Sequence, residues 1–196
     1  MKYRKFLGVF LAVFFLSGTH VSWAESYKVD KDHTSVSFKI RHLFSNVQGS
    51  FRDFDGTIEY DPDKPETWSA NGTIQVDSID TNVPERDKHL KSKDFFDAAK
   101  FPTISFKTTK VTAATKESAK LEGLITIHGV EKPVVLDLEI HGVGKDPWGN
   151  VRAGFTATTK INRKDFGIIY NQVLDKGQLM IGEDVMVTLE IEGIKA

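Results

Sequence analysis

The sequence predicts an all-β domain: an antiparallel β-barrel of about eight strands with one helical insertion near residues 80–100. Three observations carry that expectation. Apolar residues recur at every second position through most of the chain, the mark of strands with one apolar and one wet face. Turn clusters rich in Pro, Gly and Asp separate these runs. Only between Ile79 and Phe106 does the alternation give way to a helical period. A flat sheet of this size would expose two long edges and one apolar face, and closing it removes both problems. A two-sheet sandwich would also cover the face and is the structural alternative. Long strands and a single insertion favour the barrel.

The elements follow in order. Val36, Phe38 and Ile40 alternate with Ser35, Ser37, Lys39 and Arg41 in the cleanest strand. Residues 50–60 form the next, but Phe51 and Phe54 are three apart while Ile58 and Tyr60 keep phase with Phe54. That slip, near Gly49 and Gly56, predicts a bulge or bend. Asp61 to Pro65 is a turn, and Ile74 and Val76 belong to a third strand. In the insertion, Asp80, Thr81 and Asn82 can cap a helix starting near Thr81, and Pro84 suits its first turn. Pro102 pushes Phe101 into an extended conformation, so the helix must stop there. The insertion is expected to be amphipathic enough to close one end of the sheet.

Beyond it, Ile104 and Phe106 open a strand that turns at 113–118, and Leu121 to His128 leads to a turn at Gly129 to Lys132. Val134, Leu136, Leu138 and Ile140 then alternate with polar partners, and Asp146 to Asn150 is a strong turn signal. Val151, Ala153, Phe155, Ala157, Thr159 and Ile161 share one face, and Val185, Val187, Leu189 and Ile191 close the chain.

Residues 1–24 read as a signal peptide rather than as part of the fold. Lys2, Arg4 and Lys5 precede an apolar run from Phe6 to Leu16, and Ser22-Trp23-Ala24 places small residues where a signal peptidase reads. Eleven residues rise about 16 Å as a helix, too little to span a hydrocarbon core of about 30 Å. Cleavage after Ala24 and a periplasmic domain of residues 25–196 are therefore expected. Formal net charge is −1, and loss of those three cations makes it −4. A weakly acidic chain gains nothing from a polyphosphate backbone, which argues against a nucleic-acid partner. The chain has no cysteine, which removes thiol catalysis and Cys-based metal sites.

The motifs carry a resemblance. The run S-I-D-T at 78–81, R-D-K-H-L at 86–90, S-K-D-F-F-D at 92–97 and F-P-T-I-S-F at 101–106 resembles the YceI-like family of exported polyisoprenoid-binding proteins. So do H-T-S-V-S-F-K-I-R-H-L at 33–43 with Val47 to Phe51, L-I-T-I-H-G-V at 124–130 with Lys132 to Val134, and N-R-K-D-F-G at 162–167. The matches lie in order across residues 27–192. The resemblance implies a lipocalin-like antiparallel barrel with an isoprenoid lipid inside, and it raises His42, Arg86, Asp87 and His89 as motif positions.

No catalytic constellation stands out. The histidines form neither H-E-x-x-H nor H-x-H pairs, and no nucleophile elbow, Walker loop or dinucleotide fingerprint occurs. Carboxylates such as Asp53/Asp55 and Asp94/Asp97 sit where caps and turns use them. Binding has better support, since an eight-stranded barrel either fills its lumen with side chains or holds one small ligand. Val36, Phe38, Phe155 and Val187 are the candidate lumen lining, although a packed core uses the same residue types. On the insertion, Arg86 and His89 share a helix face and could reach a lipid head, as could His42 at the end of its strand; a solvated helix face reads the same way. The expected function is a non-enzymatic carrier for long isoprenoid lipids, polyprenyl phosphates or quinones, with transient membrane contact and no other cofactor. A carrier of fatty acids or fatty amides, or an unrecognised enzyme, is the alternative.

Overall fold

The computed structural model describes residues 24–173 and 179–196, so all but Ala24 of the expected signal peptide lies outside the described residues. The strands are β1 (Glu25–Val29), β2 (Ser35–His42), β3 (Ser45–Phe51), β4 (Phe54–Tyr60), β5 (Ser69–Gln75), β6 (Ile79–Asp80), β7 (Thr103–Thr112), β8 (Ser118–Ile127), β9 (Val130–Lys145), β10 (Val151–Asn162) and β11 (Ile181–Lys195). One helix, α1 (Pro84–Lys91), stands in the insertion. Every pairing is antiparallel. On one side β11 meets β10; on the other it meets β2 along Ile181–Glu190 and β1 at Gly193–Lys195. One place over, β3 pairs with β2 and β4 with β1; then β6 pairs with β3 and β5 with β4. Three rows of the wall are thus each broken into two strands, and the ladder closes as an eight-stranded barrel. Closure leaves no long edge unpaired, which is the reason a chain with this alternation curls rather than staying flat.

The breaks answer to the sequence. Arg52 and Asp53 stand exposed between β3 and β4, and this two-residue interruption resets the phase so that both Phe51 and Phe54 face inward. The turn between β8 and β9 is tighter than the expected Gly129 to Lys132, because Val130 to Lys132 are already in strand. His128 and Gly129 make the turn with φ of 52° and 74°, both left-handed, the mirror turn whose twist matches a hairpin. A Cβ on Gly129 would also come within 2.4 Å of the Phe101 ring, so only glycine fits.

The insertion departs from expectation. α1 begins at Pro84, and its N-cap Val83 offers no side-chain hydrogen bond. Asp80 instead accepts from the Asn82 amide at 2.8 Å, and the Asp87 carboxylate accepts from the Thr81 amide at 2.9 Å and from the Thr81 hydroxyl at 2.5 Å. No α1 residue is fully buried, so the helix itself is polar rather than amphipathic. The apolar cover comes from half-buried Leu90 and from the turns after the helix, where Phe95 and Ala98 are buried and Phe96 packs partly so. The helical period of this stretch is therefore a composite of a short polar helix and a set of apolar turns.

Inside the barrel two clusters divide the length. Away from α1, Tyr27, Tyr60, Trp68 and Phe155 pack against Leu136, Leu138 and Ala153. The Tyr60 ring lies 4.7 Å from Trp68 and meets Phe155 edge-on at 5.1 Å, and Trp68 Nε1 donates to the Asp61 carbonyl. Burial pushes the Tyr27 phenol up to about 12. These large rings form a floor. Toward α1 the interior is built from Val36, Phe51, Ile104, Ile127, Phe166 and Ile168, with Phe95 above them.

An ion cluster ties the barrel's two ends of chain together. Arg152 on β10 bonds Asp146, Asp30 and Glu192, and Asp30 also faces His33. Hydrogen bonding from Arg152, with help from His33 and the Asp32 amide, holds the Asp30 carboxyl at about 2, while Asp146 is held lower still by Arg152 and Asn150. Both folded values lie below the unfolded ones, so the stabilisation is present above about pH 4 and is lost as pH falls toward about 2. Denaturant midpoints taken across that window should fall with acidification. In Arg152→Met the three carboxylates lose their cation and repel one another, so the same acid window should flatten or reverse the slope. An unchanged slope would show that the cluster adds nothing.

Candidate functional site

Above the floor lies a hollow chamber of about 490 Å³. Its walls are Val36, Phe38, Ile40, Val47, Phe51, Ile74, Ile104, Ile125, Ile127, Ile161, Val185 and Val187, with Leu90, Phe95, Phe96, Phe166 and Ile168 around the insertion end. A second chamber of about 160 Å³ continues toward the floor, lined by Phe54, Phe106, Leu136, Phe155, Ala157 and Leu189. Val36, Ile74, Ile104, Ile125 and Val187 line both, so the two form one apolar shaft. The lumen is therefore packed at one end and open at the other. The reason lies in side-chain volume: Tyr, Trp and Phe fill one end of the eight-stranded cross-section, and Val, Ile and Ala leave room beyond them.

Most of the shaft's polar lining gathers at the α1 end, where His42, Glu85, Arg86, His89, Arg163, Tyr170 and Gln172 stand. Of the residues expected from sequence, Val36, Phe38, Val187, His42, Arg86 and His89 line the main chamber, and Phe155 lines the second. Asp87 lines neither. Its carboxylate is spent on Thr81, which is 3% exposed, because a buried amide and hydroxyl need an acceptor.

Arg86 is similarly committed. Its Nε donates to the Thr81 hydroxyl at 2.8 Å and its Nη2 to the Thr81 carbonyl at 2.8 Å, which pins α1 over the shaft. His89 stands 2.9 Å from the Asp94 carboxylate through Nε2, and its ring meets Phe95 and Tyr170 edge-on at 5.0 and 4.9 Å. The imidazole of His42 makes no hydrogen bond among the described residues.

Sequence reasoning missed Glu85, Arg163, Tyr170 and Gln172. Arg163 sits in the N-R-K-D-F-G block, yet a lone arginine after a strand reads as an ordinary solvated cation. Its inward course depends on the turn that follows β10. Asn162 accepts from the Lys164 amide at 3.0 Å, and Gly167 ends the turn with φ 76°. His128 holds the same segment by donating from Nδ1 to the Phe166 carbonyl at 3.1 Å. The left-over sequence signal was only that this block lacks alternation.

The only cluster among the described residues that could hold a metal ion is Asp30, His33 and Glu192, and Arg152 already occupies it. No described helix is long and apolar enough to cross a membrane.

Comparison with known proteins agrees with this architecture. The YceI-like domain model matches residues 27–193. A UPF0312 protein of Pseudomonas syringae pv. tomato is 46% identical over 148 residues, 74% of this chain and 77% of that one. Protein YceI of Salmonella arizonae is 42% identical and covers 98% of both chains. Among solved structures, the Campylobacter jejuni YCEI protein superposes with a TM-score of 0.70 at 31% identity, over 96% of this chain and 99% of that one. A polyisoprenoid binding domain from Saccharophagus degradans superposes with a TM-score of 0.67 at 14% identity, over 88% and 99%, and so bears on the fold alone. With a domain match over residues 27–193 and relatives above two-fifths identity across most of both chains, the chain belongs to the YceI-like family.

Proposed function

We propose that this protein is a periplasmic, non-enzymatic carrier of long isoprenoid lipids, polyprenyl phosphates or isoprenoid quinones, held tail-first in the shaft. The observation that carries the reading is the shaft itself: hydrocarbon along its length, closed by aromatic rings at one end and rimmed by polar groups at the other. Its size suits one ligand, since such pockets run from roughly 300 to 1,000 Å³. The choice of an isoprenoid over other tails follows the resemblance of the motifs at 33–51, 78–106, 124–134 and 162–167 to the exported polyisoprenoid-binding family.

Energetics favour carriage. Burial from water is worth about 0.8 kcal/mol per CH₂, so a tail of several isoprene units is held strongly against loss to solvent. A bilayer offers nearly the same apolar surroundings, so exchange between membrane and barrel is close to neutral. The rim suits that exchange. Phe44 beside the β2–β3 turn is 95% exposed, and Ile169 and Val173 on the segment after β10 are 68% and 70% exposed. The Leu43 amide donates to the Met180 carbonyl at 2.8 Å, which brings these two rim segments together at the open end. They supply a transient contact with the bilayer without the electrostatic attraction that an acidic chain lacks.

The exported protein, purified without added lipid, should begin at Glu25 and release an isoprenoid lipid on organic extraction, identified by mass spectrometry. Fatty acids or fatty amides in its place would sink the isoprenoid reading, and a retained Met1 would sink the periplasmic one. Transfer of a fluorescent prenyl lipid from vesicles should slow by about tenfold in the double variant Phe44→Ser, Val173→Ser, the loss of two apolar insertions. An unaltered rate would remove the rim from the exchange.

A further inference from the structure

The shaft ends in a wall of rings. Tyr60, Trp68 and Phe155 line the second chamber, while Tyr27 lines neither chamber and stands behind them in the same cluster. Trp68 is tied through Nε1 to the Asp61 carbonyl, and the Tyr60 ring is wedged between Trp68 and Phe155. Tyr27 is fixed in turn by its hydroxyl, which donates to Glu25 at 3.1 Å, and by its seat on Gly193, where an added Cβ would come within 2.9 Å of the Tyr27 Cβ. Rings packed to this density in fixed orientations do not yield to a chain end. The waist between the two chambers differs in kind. It is aliphatic throughout, built from Val36, Ile74, Ile104, Ile125 and Val187. A hydrocarbon tail therefore threads the waist and stops at the rings.

Volume converts that stop into a length. A methylene is about the size of a water, whose share of a liquid is about 30 Å³, so the main chamber of about 490 Å³ holds on the order of sixteen carbons and the second, of about 160 Å³, about five. We infer that Tyr60, Trp68 and Phe155 form a tail-length stop: the shaft takes about four isoprene units, the last of them in the second chamber, and further units stay outside the open end. This bounds the tail in the carrier reading and rests on that reading. Units left outside meet water or the exposed Phe44, Ile169 and Val173 of the rim. They forgo the hydrocarbon that a bilayer would give them, so each unit beyond the stop opposes binding.

The test incubates the mature protein, stripped of lipid, with vesicles holding an equimolar series of prenyl quinones from geranyl to decaprenyl. Mass spectrometry then reads the bound lipids against the vesicle mixture, so the head group and the aqueous solubility drop out of the comparison. Bound abundance should hold level up to about four units and then fall by about tenfold or more per unit, the cost of returning two or more methylenes to water. In Phe155→Ala the break should move up by about one unit, because the ring vacates about that volume. In Ala157→Leu, whose new side chain enters the second chamber from β10, the break should move down by about one unit. Should Phe155→Ala fail to fold, Ala157→Leu decides alone, since it adds volume to a void and takes none from the core. A level profile from geranyl to decaprenyl in wild type overturns the stop. So does a break that stays put in a folded variant, which would place the limit at the rim. Wild type that takes no prenyl quinone of any length removes the carrier reading, and the stop with it.

Discussion

Val187→Trp should abolish lipid uptake while leaving the barrel folded. Val187 sits on β11 opposite Phe38 of β2 and Thr159 of β10, and it lines both chambers at their junction. An indole there projects into space that no protein atom fills, so it plugs the shaft at its waist. In a filled core the same change would overpack and cost about 1–3 kcal/mol. In a hollow one the added ring gains contacts, and thermal stability should hold or rise. Lipid content of the purified variant, read beside its melting temperature, separates the two. A normally folded variant that still carries its lipid would refute the assignment of the shaft as the site.

Arg86→Ala should weaken every ligand, whatever its head. The sequence alone presented Arg86 as a donor to an anionic head, from which a selective loss would follow. In the structure both bonding nitrogens hold Thr81, whose carbonyl and hydroxyl are nearly sealed from water. Truncation removes hydrogen bonds from a charged group and leaves a buried carbonyl short of a partner, a loss of about 1.5–3 kcal/mol in stability. The insertion then lifts from the open end, and its Leu90, Phe95 and Phe96 no longer cover the tail. Titrating a prenyl quinone and a prenyl phosphate should show both weakened by similar factors. Loss confined to the phosphate would return Arg86 to the role of a head-group ligand.

The wall was legible because strand alternation depends on nearest neighbours along the chain. Val36, Phe38 and Ile40, or Leu136, Leu138 and Ile140, announce an inward face wherever they occur, and closure follows from the edges they would otherwise expose. The slip between Phe51 and Phe54 announced the β3–β4 break for the same reason. The insertion was half legible. Pro84 marked the helix start, but which acceptor Thr81 would find depended on Asp87 and Arg86 folding back over it, a contact that no local pattern encodes.

What the sequence by itself determined is the alternation, the turns, the one insertion and the family to which their order points. What only the tertiary structure decided is where the barrel is full and where it is hollow. Residue type sets the volume of each side chain, but the void depends on which side chains share a level of the barrel, and that is set by register between strands far apart in the chain. Tyr27, Tyr60, Trp68 and Phe155 meet at one level and close it, whereas Val36, Ile74, Ile104, Ile125 and Val187 meet at another and leave it open. The same registry turns Arg163 inward, where the Gly182 and Ile168 carbonyls hold it, and a residue that reads as a surface cation becomes a buried one, because burial and pairing are properties of the closed wall and not of the strand.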